Sequence, residues 1–339
     1  MDIVTGGAGF IGSHLVDRLI AEGRTVRAID NFSNGNPHNL AQHAGNSRFS
    51  LVNADIGDKS ALAGVFDGAE RVFHLAALAD IVPSIQKPEA YFRSNVDGTF
   101  NVLEAARAAK VKRFIYAASS SCYGIPDQFP TPESAPARPQ YPYALTKYLG
   151  EQLVMHWAQL YDLPALALRL FNVFGPRSRT SGAYGAVFGV FLAQILAGKP
   201  LTIVGDGKQT RDFTFVTDVV DAFVTAAESS RENDYFNVGS GGTYSVNKLV
   251  ELLGAKDTVF IPKRPGEPDC TFADVSKIEA AFDWHARVSF EEGVGIILEN
   301  IEYWREAPVW TSESIAEATA DWFHYLGKSD SSQTLDRSR

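Results

Sequence analysis

Cysteine is scarce: the 339-residue chain has two, Cys122 and Cys270. Two are too few for a disulfide framework and lack the paired spacing of a zinc site. Both are expected to be small packing residues in a reducing, cytoplasmic setting, and no metal is expected. Long apolar runs are also missing. None reaches the roughly 20 residues of a membrane-spanning helix, and the chain opens on a strand rather than a signal peptide, so no membrane partner is expected. Positive charge is in deficit, with 31 Lys and Arg against 40 Asp and Glu and a net charge of −9. Such a surface repels phosphate backbones and anionic bilayers, which argues against nucleic acid as a partner.

What is present is ample apolar material, 45% of residues, in a regular order. Strand-like and helix-like stretches alternate: Val72–Ala76, Val96–Ala109, Arg113–Ala117, Tyr143–Tyr161 and Ala165–Phe171. That alternation predicts an α/β fold with a doubly wound parallel (Rossmann) sheet. The first unit should span 1–175 with a return segment near 212–240. A smaller α/β substrate lobe over 176–326 and a disordered tail over 327–339 should follow.

The most informative opening segment is Asp2-Ile3-Val4, then Thr5-Gly6-Gly7-Ala8-Gly9-Phe10-Ile11-Gly12, then a helical run from Ser13. A strand feeding a glycine-rich turn that opens a helix aims backbone N–H groups and the helix dipole at a pyrophosphate. The glycines allow the tight turn, the close approach of phosphate, and helix–strand packing. A second strand, Thr25–Ile29, ends in Asp30, about 20 residues on, where an acid meets the adenine ribose. A carboxylate accepts hydrogen bonds from a ribose 2′-OH and repels a 2′-phosphate, so NAD is expected over NADP. Arg27 lies nearby, but strand alternation points it away from Asp30.

Tyr143-Ala-Leu-Thr-Lys147 carries the chemistry. Four residues along a helix put Tyr143 and Lys147 on one face. A phenol of ordinary pKa near 10 is a poor base at neutral pH, and an adjacent ammonium is expected to lower it. By itself Tyr-x-x-x-Lys marks an ordinary amphipathic helix; here a cofactor loop and Ser119 precede it.

Gly6 to Gly12, the Ser119 segment and the Tyr143/Lys147 pair together resemble the extended short-chain dehydrogenase/reductases acting on nucleotide sugars. Among these the chain is most similar to the UDP-hexose 4-epimerases, from the first strand to about Trp284. The resemblance implies that Gly6, Gly9, Phe10, Ile11, Gly12, Asp30, Asn31 and Asn95, with Tyr143 and Lys147, contact NAD. It implies that Asp55 and Ile56 meet the adenine and that Ala76 and Ala77 line the groove. Ser119 takes the catalytic Ser/Thr position, bonding the sugar O4 and relaying its proton to Tyr143. The 4,6-dehydratases carry an Asp-Glu pair at the next two positions. Here Ser120 and Ser121 stand there, facing the substrate, and a Glu of related uronate decarboxylases is absent. Elimination is not expected.

By the same resemblance Asn172 contacts the diphosphate, and Arg211 and Arg264 bind the nucleotide. Arg177, Arg179, Lys208 and Lys263 read as surface charge. Thr271 lies where these enzymes limit the pocket near the sugar 2-position, and its small size implies room for an N-acetyl group. The implied reaction oxidises the C4 alcohol, turns the 4-keto sugar over and reduces its other face. That requires a firm grip on UDP and a loose one on the hexose. A UDP-uronate 4-epimerase, a 4-ketoreductase and a non-catalytic NAD-binding regulator remain as alternatives.

His74, at a strand end, reads as a hydrogen-bonded core residue. The stripe Leu145, Leu149, Leu153, Trp157 and Leu160, with Phe100 and Leu103, falls where this family builds a four-helix dimer contact, which implies a homodimer. The aromatic stretch Ile296–Leu326 departs from the usual epimerase ending and has no evident function in the sequence.

Overall fold

The first apolar strand, β1 (Asp2–Thr5), is buried along its whole length because it lies inside a sheet rather than at its edge. The computed structural model describes residues 1–178 and 186–333. Around β1 lie β2 (Val26–Asp30), β3 (Phe49–Asn53), β4 (Arg71–His74), β5 (Arg113–Ser119) and β6 (Ala165–Leu170). Beyond them β7 (Asn172–Phe174), β8 (Leu201–Val204), β9 (Thr210–Arg211) and β10 (Phe213–Phe215) precede β11 (Asp234–Val238), β12 (Tyr244–Ser245) and β13 (Thr258–Ile261). The main sheet has the order β11-β6-β5-β4-β1-β2-β3, all parallel. The order reverses about β1 and β4, and in such sheets ligands bind at the carboxyl ends of the strands beside that switch.

Apolar side chains leave both faces of the sheet, as a parallel sheet covered on both sides requires. One face packs on helix Phe10–Ala21 and helix Val216–Glu228 through Leu15, Leu19, Val219 and Phe223. The other packs on helix Gly98–Ala108 and helix Pro142–Tyr161 through Val102, Ala106 and Val154. Just before Gly98 one wider turn, Arg93–Asp97, forms a π-helix, so the α-helix starts later than the periodicity from Val96 predicts.

The second half is built from short pieces: β10 pairs with β7, β12 with β9 and β13 with β8. Among the described residues these pairs do not join into one sheet, and an aromatic cluster packs among them. Phe174 meets Phe188 at 5.0 Å, and Phe213 stacks on Phe290 at 5.0 Å with planes 5° apart. Rings bring much apolar area per residue, which suits a small core between irregular elements.

The C-terminal stretch is ordered: Ile301–Trp304, helix Ser312–Ala318 and helix Ala320–Gln333 follow one another. Helix Ala320–Gln333 runs past Gly327, and Trp322 in its first turn is buried. Residues 334–339 of the expected tail lie outside the described residues. Among the described residues no helix is long and apolar enough to cross a membrane.

Candidate active site

A cleft of about 680 Å³ opens at the carboxyl ends of the sheet strands and continues into the second half. Its floor is the glycine turn. Gly6 has φ +69°, and a Cβ there would sit 2.8 Å from the Ala76 nitrogen, so only glycine closes this corner against the neighbouring strand end. A Cβ on Gly12 would meet the Gly6 carbonyl carbon at 2.9 Å. Gly9 caps helix Phe10–Ala21, and no side chain satisfies the first-turn N–H groups. Those donors remain for an anion.

Asp30 closes the turn from the other side. Its carboxylate accepts hydrogen bonds from the amides of Ala8 (2.9 Å) and Phe32 (2.8 Å). Burial pushes its pKa up, and the two amides pull it back down. Arg27 points away, donating to the Val65 carbonyl at 2.5 Å. Asn31, Asp55, Ile56, Ala76 and Ala77 line the same cleft. Asn95 lies behind the cleft wall, buried between the segment after β4 and the Tyr143 helix. Its amide is consumed internally, accepting from the Leu78 nitrogen (2.8 Å) and donating to the Leu78 carbonyl and Thr146 Oγ1 (3.0 Å each). Asn95 therefore clamps the segment after β4 onto the Tyr143 helix.

Ser119 ends β5, and its hydroxyl caps the turn Ser120–Tyr123. Tyr143 stands in the first turn of helix Pro142–Tyr161, where Pro142 fixes the start. The phenol donates to Ser119 Oγ at 3.3 Å, and Ser119 Oγ lies 2.8 Å from Ser121 Oγ. Three hydroxyls thus form one chain facing the cleft, with Ser120 beside them. Cys122, behind them, is buried with its thiol pushed up to about 12, and is inert packing.

Lys147 is one turn beyond Tyr143 and buried. Burial pulls its pKa down to about 7, and the Glu151 carboxylate opposes that. Its Nζ lies 4.2 Å over the Tyr116 ring, and among the described residues it makes no hydrogen bond. The expectation that Lys147 lowers the Tyr143 pKa is corrected here. Burial raises the phenol, and only the Ser119 hydrogen bond opposes the rise. A buried ammonium without a hydrogen-bond acceptor, a helix start without a cap and an acid at the end of β2 fit a dinucleotide's ribose hydroxyls and pyrophosphate.

The helix carrying Tyr143 and Lys147 is fixed to the sheet by a buried ion pair that sequence patterns did not flag. Arg169, in β6, donates to both Glu151 oxygens (2.8 and 2.6 Å) and to Tyr123 Oη (2.9 Å). Sheet and helix residues so far apart in sequence leave no local signal.

At the other end of the cleft Arg211, in β9, is buried and donates to Glu267 at 2.7 Å. Arg264 lies 3.6 Å from the same carboxylate. Two guanidinium groups thus converge on one carboxylate at this end of the cleft, the donor type that grips a diphosphate. Glu267 was overlooked in a segment read only for its arginine. Asn172, first residue of β7, accepts from Thr271 Oγ1 at 2.8 Å, and both line the cleft. Lys208, Lys263 and Arg177 pair with Asp206, Asp269 and Asp17; the two lysines and their partners border a cavity of about 380 Å³ that Arg211 and Glu267 also line. Arg179 lies outside the described residues. His74 is a core residue, with ring nitrogens 2.7 Å from Thr5 Oγ1 and 3.0 Å from Thr99 Oγ1; burial pulls its pKa to about 3. Among the described residues no cluster of His, Cys, Asp and Glu could hold a metal ion.

A model of the NAD dependent epimerase/dehydratase family matches residues 3–239. A UDP-glucose 4-epimerase of Mycolicibacterium smegmatis is 38% identical over 311 residues, 89% of this chain and 98% of that protein. A UDP-N-acetyl-alpha-D-glucosaminuronate decarboxylase of Bacillus cytotoxicus is 32% identical over 90% of this chain and 97% of its own length. Among solved structures, a UDP-glucose 4-epimerase with UDP-glucose from Thermotoga maritima superposes with a TM-score of 0.83 at 36% identity, covering 90% of this chain and 99% of that one.

Proposed function

This chain belongs to the NAD dependent epimerase/dehydratase family, and from that premise we propose that it inverts C4 of a UDP-hexose through a 4-keto intermediate. UDP-glucose and UDP-galactose are the proposed substrates, with UDP-N-acetylglucosamine and UDP-N-acetylgalactosamine accepted as well. One observation carries the proposal: the Tyr143–Ser119–Ser121 hydroxyl chain and the Arg211–Glu267–Arg264 cluster line a single cleft.

Phe10, Ile11 and Gly12 would hold the pyrophosphate of NAD, Asp30 its adenine ribose and Lys147 its other ribose. NAD, when bound, supplies the reversible oxidation of the sugar C4 alcohol and, in its oxidised form, a positive charge near the phenol. Tyr143 accepts the O4 proton, either directly or through Ser119, and returns it in the second half of the reaction. The guanidinium pair of Arg211 and Arg264, with Asn172, holds the diphosphate. Around the hexose stand hydroxyls, Ser120 and Ser121 included, rather than fixed charges. Such weak, exchangeable contacts leave the ring free to turn while UDP stays anchored. Thr271 leaves space where a bulky side chain would exclude an N-acetyl group.

The similarity to a uronate decarboxylase favours one second candidate, a UDP-uronate 4-epimerase. Purified protein given UDP-galactose without added cofactor, with C4 epimers separated by chromatography, tests the main proposal. Conversion is expected; conversion of UDP-glucuronate alone would favour the second. We divide the chain into a cofactor unit, 1–175 with 212–240, and a substrate lobe up to 326. A cytoplasmic homodimer is proposed, joined through the exposed Phe100, Leu145, Leu160 and Tyr161 of helices Gly98–Ala108 and Pro142–Tyr161.

A further inference from the structure

The aromatic C-terminal arm has no role in the chemistry described so far, yet it reaches the cleft. Trp304 anchors it, fully buried in the aromatic core of the second half. Past Trp304, Trp310 lines the cleft, its carbonyl accepting from Gln194 at 2.8 Å. Helix Ala320–Gln333 then lays its first turn over the Arg264–Glu267 turn. Trp322 is 3% exposed, and its indole N–H donates to the Pro265 carbonyl at 2.7 Å. The Arg264 guanidinium lies over the Trp322 ring, 5.4 Å from its centroid. On its other side Trp322 approaches Tyr141 at 6.2 Å, and the Tyr141 ring lies parallel to that of Tyr143, 7° apart at 6.4 Å. Next to Trp322, Asp321 accepts from Gln86 Nε2 at 3.0 Å. Gln86 ends helix Ile81–Gln86, which borders the cleft from the cofactor side.

We propose that Trp322 is a substrate-positioning residue: its ring and N–H hold Arg264 and the Arg264–Glu267 turn in register with Tyr143 across the nucleotide-sugar cleft. It deepens the UDP-sugar proposal and rests on it. A guanidinium seated on an aromatic face is weakly hydrated and keeps a fixed plane, which is what bidentate grip on a phosphate requires. The chain Arg264–Trp322–Tyr141–Tyr143 connects the grip on the nucleotide to the general base, so specificity for the nucleotide depends on the arm as well as on the lobe that precedes it.

The test uses NAD-loaded full-length protein and UDP as probe. Trp322→Ala should weaken UDP binding about tenfold and raise KM for UDP-galactose in parallel, with kcat within about threefold. Trp322→Phe, which keeps a ring under Arg264, should recover most of the affinity. UDP should also quench tryptophan fluorescence more in the wild type than in Trp322→Phe, a readout that holds even if the alanine variant fails to fold. Unchanged UDP affinity and KM in Trp322→Ala, or equal quenching in wild type and Trp322→Phe, would overturn the proposal while leaving the UDP-sugar function standing. A wild-type protein that binds no UDP would overturn both.

Discussion

The two ends of the cleft are made of different material. At the cofactor end the binding groups are mostly backbone: the uncapped N–H groups after Gly9, corners only glycine can occupy, and one carboxylate held by two amides. At the substrate end they are side chains from distant segments, Arg211 with Glu267 and Arg264, Asn172 with Thr271. A backbone site is fixed once strand, turn and helix form. A side-chain site exists only when several irregular segments pack correctly, so it is easier to alter without losing the fold, which suits a part that determines which sugar enters.

Single changes can break or sharpen that contrast. Tyr143→Phe, where the two ends meet, should lower turnover about 1000-fold while the protein still co-purifies with NAD; steady-state rates and cofactor released on denaturation check both. Thr271→Tyr should reduce turnover of UDP-N-acetylglucosamine about 100-fold more than that of UDP-glucose, by overfilling the pocket. Equal losses would mean that the bond to Asn172, not pocket size, was the relevant loss. Arg211→Ala should raise KM for the nucleotide sugar about 30-fold, the value of one charge-assisted contact, with NAD content unchanged. Gly12→Ala should do the reverse, lowering retained NAD about tenfold, because its Cβ cannot avoid the Gly6 backbone. Loss of NAD in the arginine variant, or of UDP affinity alone in the glycine variant, would erase the contrast.

A last effect concerns stability rather than either end of the cleft. His74 is held neutral, its pKa pulled from 6.5 to about 3. Between those values the unfolded chain binds a proton that the folded chain does not. Stability contributed by neutral His74 is therefore complete above pH 6.5 and declines toward pH 3, by at most about 1.4 kcal/mol per pH unit. His74→Asn should flatten that part of a pH-dependent denaturation profile.

Legibility followed the same division. The glycine turn, the acid at the end of β2 and the Tyr143/Lys147 spacing were visible because each is a local pattern with one geometric meaning. The clamp made by Asn95 was not legible, because its partners Leu78 and Thr146 lie 17 and 51 residues along the chain. Lys147 shows another limit: spacing put it on the Tyr143 face, but spacing carries no desolvation, and burial raises the phenol and lowers the ammonium. The Arg211–Glu267 contact, the Glu151–Arg169 pair and the arm carrying Trp322 gave no short-range sign, since each joins segments from different parts of the chain.

The amino-acid order alone determined the alternation of strand and helix, the dinucleotide turn and the placing of Tyr143 and Lys147 on one helix face, because helical and strand periods and glycine's freedom act over a few residues. Tertiary packing decided the rest: which arginines share a carboxylate, how far the phenol sits from neutral water, and that a C-terminal tryptophan ends beneath Arg264. Those depend on burial and on contacts across the fold, and neither is written in any short stretch of chain.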